Sequence, residues 1–598
     1  MSHTIAGFEV PFIPTDRDFK SWWVEYNPST QILPEGWRRE EGRPALREAL
    51  IWDKDVPIPL RDGTVLRGDV FRPASQKDRQ LPAILAWGPY GKTGTGDNLT
   101  TNFPYLGVGK ESLSGIEKFE APDPAEWCPR GYAIVQPDAR GAYHSEGDLF
   151  IFGTQDARDG YDVIEWIAEQ PWSNKAVGMS GNSWLAATQW LIAAEKPPHL
   201  KAIAPWEGIG DLYRESLCAG GIPNPAFWAF LMQLMNGFNL REDVATMLEK
   251  YPLWNAYWED KKPRLTDIDI PMYVVASYST QLHTEGSLRG WKYSNSTDKW
   301  LRIHSTHEWY DIYQSRSNDE LQRFFDHYLV GKDNGWEQTP KIRISLNRYN
   351  APPISERPED SYPPTRVQFQ NFLLNAKDGS LSPAPSASVS KDVATVSYQS
   401  DTWEDDGAHF TYTFDKYTEL IGGSKVTLYM STNDLDDLDV YVILRKLDRH
   451  GKPLLNYNIP RNDWPLGVTE DDIPDFNTYK YIGSSGRLRA SKRATGVEPG
   501  LTKEQLDSKT PDELWFPHDK SEKIPPGTVV KLEIPTRPSG VVFNAGESIR
   551  LEVKGHEPVF AENGPLHHLQ KNQKNQNKGR HIVHTGGEYQ SSLLLPLA

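Results

Sequence analysis

The sequence predicts an α/β fold with a helical cap insertion, followed by a separate β-sandwich, and three observations predict it. Up to about residue 350, continuous apolar runs of strand length alternate with helical patterns, the order that builds a mostly parallel, doubly wound sheet. One of those strands, at 175–180, passes through a turn of tiny residues straight into an apolar helix. Beyond a stretch at 350–364 that holds Pro352, Pro353, Pro358, Pro363 and Pro364, the texture changes to short alternating strands separated by Gly and Asn. The expected boundaries are 1–350 for the α/β domain with an insertion at about 212–262, 351–365 for a linker, and 366–598 for the sandwich.

Taken in order, a polar leader bearing prolines comes first, and 56–71 reads as two strands turned by Asp62-Gly63. The apolar run at 81–87 is typical of a strand covered on both faces. It ends in Gly88-Pro-Tyr-Gly-Lys92, so Tyr90 lies at a strand's carboxyl end. The next buried strand, 132–136, leads into a polar loop at 137–147. A helix follows, with Asp159, Tyr161, Ile164, Trp166 and Ile167 read as its apolar face. After the turn at 181–183, Leu185, Thr188, Gln189 and Ile192 recur at helical spacing until Pro197-Pro198 stops them. A strand at 200–204 ends in Pro205-Trp-Glu-Gly208.

Residues 212–258 are then aromatic-rich and helical, without strands, and read as a lid over the sheet's carboxyl edge, where open α/β folds bind ligands. The sheet resumes at 270–276 and 299–303. In the sandwich, strands are expected at 425–430, 438–444, 529–534 and 548–553. There is no internal repeat, and the Gln/Asn/Lys tract at 569–580 reads as a solvated loop rather than a polyanion contact.

The chain has 598 residues, enough for two to four domains and a large interior. Lys plus Arg total 65 against 81 for Asp plus Glu, and the net charge of −16 argues against nucleic acid or an anionic membrane as partner. Two cysteines, Cys128 and Cys218, are too few for a disulfide framework and suit a reducing compartment. The first residues lack a basic and an apolar region of the signal-peptide kind, and no run approaches the length of a membrane span. The expectation is a cytoplasmic protein with a small-molecule substrate, no cofactor and no metal, and a composition that admits a homo-oligomer.

The turn at 181–183 has the form of a nucleophile elbow, which needs a serine on a strained turn at the head of a sheet with small neighbours. Two serines compete. Ser183 is favoured over Ser180, because the strand then finishes before the elbow and Trp184 opens the helix, where its backbone N–H can face an oxyanion. A serine that only caps a helix would read the same way on this motif alone. A serine nucleophile needs a base and a carboxylate at the same sheet edge, in the chain order serine, acid, histidine. His304 and His307, directly after the 299–303 strand, stand where the base should be.

Several segments together resemble the family of cocaine esterase, X-Pro dipeptidyl-peptidases and glutaryl-cephalosporin acylases. They are Pro89-Tyr90, Asp138-Ala-Arg-Gly141, Ser145-Glu-Gly147, Asp159-Gly-Tyr-Asp162, Glu165-Trp166, Gln170-Pro-Trp-Ser-Asn174 and the run 177–189. Past the linker, 483–491 and 543–553 look like the same family's jelly-roll signatures, so the likeness runs nearly end to end. It implies an α/β-hydrolase domain with a helical cap, joined to a jelly-roll domain. It also implies Ser183 as nucleophile, with Tyr90 and the Trp184 N–H as oxyanion donors. Longer members whose last strand ends in histidine match His304 with Glu308-Trp309, whereas a Gly-Pro-Trp-x-His ending would point to His307.

One departure stands out: the family's aspartate follows the strand at 270–276, where this chain has Ser279 and Thr280. Either Glu207 supplies the acid, with Glu285 behind it, or the site works as a dyad. The resemblance implies a serine hydrolase acting on an ester or amide of a small apolar or aromatic acyl group. The alternatives are an X-Pro-type dipeptidyl-peptidase, non-hydrolytic carbon–carbon cleavage or cyclisation, and a catalytically dead binding protein.

Overall fold

The computed structural model describes residues 2–15, 25–384, 391–559 and 575–598. Eleven strands form its central sheet. They are β1 (Ser29–Leu33), β2 (Leu50–Pro59), β3 (Val65–Pro73), β4 (Leu81–Leu85), β5 (Ala133–Pro137), β6 (Ser173–Asn182), β7 (Leu200–Trp206), β8 (Met272–Ser277), β9 (Lys299–His304), β10 (Ile342–Leu346) and β11 (Ile354–Pro358). Their spatial order is β11-β10-β9-β8-β7-β6-β4-β5-β3-β2-β1. The stretch from β10 to β5 is parallel throughout, and antiparallel strands close both edges.

The parallel centre explains the unbroken apolar runs. Every residue of β4, β5 and β8 is buried, because side chains of alternate residues enter cores on opposite faces. Leu81, Ala83, Leu85, Ile203 and Val274 meet helices α1 (Gly153–Glu169) and α2 (Trp184–Ala194) on one face. Ile84, Ala202, Ala204 and Val275 meet Phe324 and Phe325 of α4 (Ser315–Phe325) on the other. Helix α3 (Thr284–Tyr293) links β8 to β9.

Two helix readings change. In α1 the buried positions include Asp159 together with Ala157, Gly160, Val163, Ile164 and Ile167, while Tyr161 and Trp166 are only half-buried. Tyr161 lies outside, with the Arg61 guanidinium 4.8 Å from its ring centre. Helix α2 has no solvent face: all eleven of its residues are buried, so Leu185, Thr188, Gln189 and Ile192 mark only part of its contact surface.

The insertion between β7 and β8 holds helices Pro225–Gln233, Val244–Lys250 and Ala256–Asp260, and it is not free of strands. Leu240–Glu242 pairs antiparallel with Phe8–Pro14 of the leader, which pairs in turn with Ser2–Ile5. Phe12 and Val10 are buried, so the leader is part of the core rather than a polar tail. Inside the proline-rich stretch, β11 forms the sheet edge against β10, an edge position that tolerates its terminal proline.

The C-terminal part is sheet-rich and has its own core. The expected strands appear as Lys425–Thr432, Asp439–Leu447, Val530–Pro535 and Ser548–Lys554. It is bonded to the α/β part through Asn347, whose backbone N–H donates to Gly540 and whose carbonyl accepts from Val542. Arg214 of the insertion lies between the rings of Trp254 and Trp515, 3.6 and 3.9 Å from their centres. The first half of the Gln/Asn/Lys tract, 569–574, lies outside the described residues. Among the described residues no helix is long and apolar enough to cross a membrane.

Candidate active site

Strand β6 ends at Asn182 and α2 begins at Trp184, which leaves Ser183 alone on the turn at φ 56° and ψ −116°. A non-glycine residue there costs about 1–3 kcal/mol and persists only if its surroundings enforce it. Three hydrogen bonds do so. Ser183 N–H donates to the Glu207 carbonyl (2.8 Å), Asn182 N–H to the Glu120 carbonyl (3.0 Å), and the Asn182 amide to the Trp206 carbonyl (2.9 Å).

The small neighbours are required by contact. Gly181 has φ +144°, and a Cβ there would lie 2.6 Å from Cβ of Leu185. A Cβ on Gly208 would lie 2.7 Å from the Ala187 nitrogen and 2.8 Å from Cβ of Ala186. Ser180 sits within β6, buried, its hydroxyl without a hydrogen-bond partner among the described residues.

The phenol of Tyr90, on the loop after β4, is buried and hydrogen-bonded to Ser183. Burial and the carboxyls of Glu120 and Glu308 push its pKa far up, so it stays a protonated donor. Its loop is held by Lys118, whose Nζ donates to the carbonyls of Gly88 and Pro137, both at 2.7 Å. Burial lowers the Lys118 ammonium to about 7. Trp184 is the first residue of α2, so its N–H has no intrahelical carbonyl. Its ring stacks on Phe152 with centres 4.2 Å apart and meets Trp228 at 6.0 Å, which makes an aromatic wall. Phe119 and Trp309 extend it.

Three imidazoles gather at the carboxyl ends of β8 and β9. His304, the last residue of β9, has its Nε2 2.6 Å from Oε1 of Glu207 and its Nδ1 2.9 Å from the Thr306 hydroxyl. Burial alone would lower its pKa, but the carboxylates of Asp311 and Glu207 outweigh that and raise it. Asp311 is itself clamped by Arg302 at 2.5 and 2.9 Å. His307 is buried, and its Nδ1 accepts the Trp309 N–H at 3.3 Å. Burial, with His283 and His304 nearby, lowers it to about 3. His283, in the loop after β8, has Nδ1 2.7 Å from Oε2 of Glu308, and both residues are buried.

Sequence reasoning singled out Ser183, Tyr90, Trp184, Glu207, His304 and His307 but passed over His283, Glu308 and Glu120 as functional groups. His283 and Glu120 lie in loops and Glu308 opens the short helix Glu308–Ile312, all near the sheet edge where the chemistry was sought. At the position of the family's aspartate, Ser279 donates to the Thr306 carbonyl (3.1 Å) and Thr280 Oγ1 is buried without a partner among the described residues. Glu285 opens α3 at the surface, beside Glu215 and Arg289 rather than beside the imidazoles. Among the described residues no group of three or more His, Cys, Asp or Glu could hold a metal.

A serine on a strained strand-to-helix turn, at the head of a sheet of this order, defines the α/β-hydrolase class. Residues 62–243 match the family described as X-Pro dipeptidyl-peptidase (S15 family), and 334–594 match the X-Pro dipeptidyl-peptidase C-terminal non-catalytic domain. The chain belongs to this family, which includes the cocaine esterase-like CocE/NonD hydrolases. It is 32% identical to the solved CocE/NonD family hydrolase of Staphylococcus aureus, with a TM-score of 0.80 over 92% of this chain and 94% of that one. To cocaine esterase of Rhodococcus sp. (strain MB1 Bresler) it is 36% identical over 160 residues, which are 27% of this chain and 24% of that protein. That match spans about a quarter of the curated relative's length. An α-amino acid ester hydrolase shares the fold, at 16% identity and a TM-score of 0.65 over 92% of this chain and 97% of that one.

Proposed function

We propose that the protein is a serine hydrolase that cleaves an ester or amide of a small apolar or aromatic acyl compound through an acyl-enzyme on Ser183. The observation that carries this is the strained Ser183 backbone with the Tyr90 phenol bonded to the same residue. Ser183 Oγ attacks the acyl carbon. Tyr90 O–H and Trp184 N–H receive the charge that develops on the carbonyl oxygen. Phe119, Phe152, Trp184 and Trp228 offer an aromatic surface for the acyl group, under the insertion acting as a lid. His304 is engaged at both ring nitrogens, and we assign the Glu207–His304 pair to holding the elbow from below. Both cysteines are buried and free, which suits a cytoplasmic setting.

A second reading, X-Pro-type dipeptidyl-peptidase, is favoured by one observation. Oε2 of Glu120 is buried without a hydrogen-bond partner among the described residues, on a carboxyl that also bonds the Trp309 indole at 2.8 Å. Burial and Glu308 raise its pKa well above the usual carboxylate range. A substrate ammonium beside it would draw it into the ionised form.

A fluorophosphonate probe tests the class: Ser183 should be labelled, Ser183→Ala should abolish labelling and Ser180→Ala should not. Labelling of Ser180 instead would sink the assignment. Comparing an aryl ester with an Xaa-Pro amide then separates the two substrate readings. Product analysis on labelling-competent protein separates hydrolysis from cleavage or cyclisation without water.

A further inference from the structure

Neither the Glu207–His304 pair nor His307 has the nitrogen arrangement of an oriented general base. With its carboxylate partner on Nε2, His304 has Nδ1 as its basic nitrogen, and that nitrogen faces Thr306. His307 accepts a backbone N–H at Nδ1, which leaves its proton on Nε2, a donor. With a pKa of about 3 it is also a weak base, far from the range in which general bases work near neutral pH.

The third imidazole has the opposite arrangement. His283 Nδ1 is 2.7 Å from the Glu308 carboxylate, which fixes the ring proton on Nδ1 and makes Nε2 the basic nitrogen. Its placement follows from a chain of contacts to the elbow. His283 immediately precedes α3, and the Ser287 hydroxyl, one turn on, accepts the Gly208 N–H at 3.0 Å. Gly208 in turn lies against Ala186 and Ala187 in the first turn of α2. On the other side, Glu308 precedes Trp309, whose indole bonds Glu120, and the Glu120 carbonyl holds the Asn182 N–H next to Ser183. Glu308 and Glu120 are also the two carboxyls whose charge reaches the Tyr90 phenol.

We propose that His283 is the general base for Ser183 and that Glu308 is the carboxylate that orients it. This rests on the serine-hydrolase reading. The order becomes serine, histidine, acid, with base and acid exchanged between two adjacent strand ends. The exchange is geometrically neutral, because β8 and β9 are parallel and end level with each other, Ser277 opposite His304. It accounts for hydroxyl residues at 279 and 280, since that loop supplies the base and no longer the acid. In acylation the Ser183 O–H proton passes to His283 Nε2 as Oγ bonds the acyl carbon, and the carbonyl π pair moves onto the oxygen held by Tyr90 and Trp184. Collapse expels the alcohol or amine, which takes the proton from Nε2. Water then repeats the sequence to release the acid.

The test is the second-order rate of fluorophosphonate labelling of Ser183 in the full chain, with circular dichroism to check the fold. His283→Ala and His283→Asn should each lower it by about 10³-fold or more. The asparagine amide can keep the bond to Glu308, so His283→Asn reads out even if the alanine variant misfolds. Added imidazole should restore part of the rate in His283→Ala, which a purely structural role would not allow. Glu308→Gln should lower it by about 10²-fold. His283 variants that label at the wild-type rate overturn the proposal, as does an imidazole-rescued loss in His304→Ala or His307→Ala. Wild-type protein that does not label at Ser183 overturns the hydrolase reading and this assignment with it.

Discussion

The backbone N–H of Ser183 donates to the carbonyl of Glu207 at 2.8 Å, while the Glu207 side chain reaches back to His304 at 2.6 Å. Glu207 itself has a left-handed φ of 62°, so one strained residue props another. The raised pKa of His304 makes this prop a charge pair with a pH signature. A folded-state pKa above the unfolded one adds stability fully present below about 6.5 and lost as pH rises through the folded value. The His304 contribution should therefore fade as pH rises above about 6.5, and Glu207→Gln should lower the denaturant midpoint at pH 6 more than at higher pH, which changes the slope of midpoint against pH. An unchanged slope in Glu207→Gln would mean that His304 is held by Asp311 alone.

His307 should act with the opposite sign. Its folded pKa of about 3 lies below the ordinary histidine value, so it favours the folded state above pH 6.5 and that contribution falls as pH drops toward 3. The slope for one such group is about 1.4 kcal/mol per pH unit. His307→Gln should remove one proton's worth of acid sensitivity in urea melts from pH 7 to pH 4. Parallel curves would show that His307 is solvated in the folded state.

The Tyr90 phenol should serve charge that exists only in the transition state. Tyr90→Phe is expected to lower kcat by about 10²–10³-fold with little change in KM, as loss of one oxyanion donor does. Steady-state kinetics on the best ester substrate checks this, and a raised KM at unchanged kcat would make Tyr90 a binding residue.

Gly208 is the spacer between α2 and α3, and a methyl group there meets backbone atoms that have nowhere to go. Gly208→Ala should destabilise the fold by about 1–3 kcal/mol and slow Ser183 labelling at least tenfold. Thermal melts and labelling rates measured together decide it. Loss of stability with full labelling would separate packing from the geometry of the elbow.

The architecture was legible because a parallel sheet covered on both faces writes itself as unbroken apolar runs, as at 81–85 and 272–277. The elbow was legible from Gly181, Ser183 and Ala186 for a similar reason: tight strand-to-helix contact leaves few residue choices. The Leu240–Glu242 strand was not, because three residues carry no period and its partner lies in the leader. The pairing of His283 with Glu308 was hidden too, since it joins the segments that follow β8 and β9, which meet only once those strands lie side by side. Glu207 is the converse case, a single acidic residue placed by its strand end within reach of an imidazole.

The pairing of Phe8–Pro14 with Leu240–Glu242 also sets an order of events during synthesis. The leader strand leaves the ribosome early and must wait for β1 to β7 and most of the insertion before its hydrogen-bonding edge is matched. Until then Val10 and Phe12, both deeply buried in the finished protein, have no insertion strand beside them. That interval is when the nascent chain is most open to a chaperone or to pairing with a neighbouring copy on the same message. Slower translation of the residues between the two strands would lengthen it.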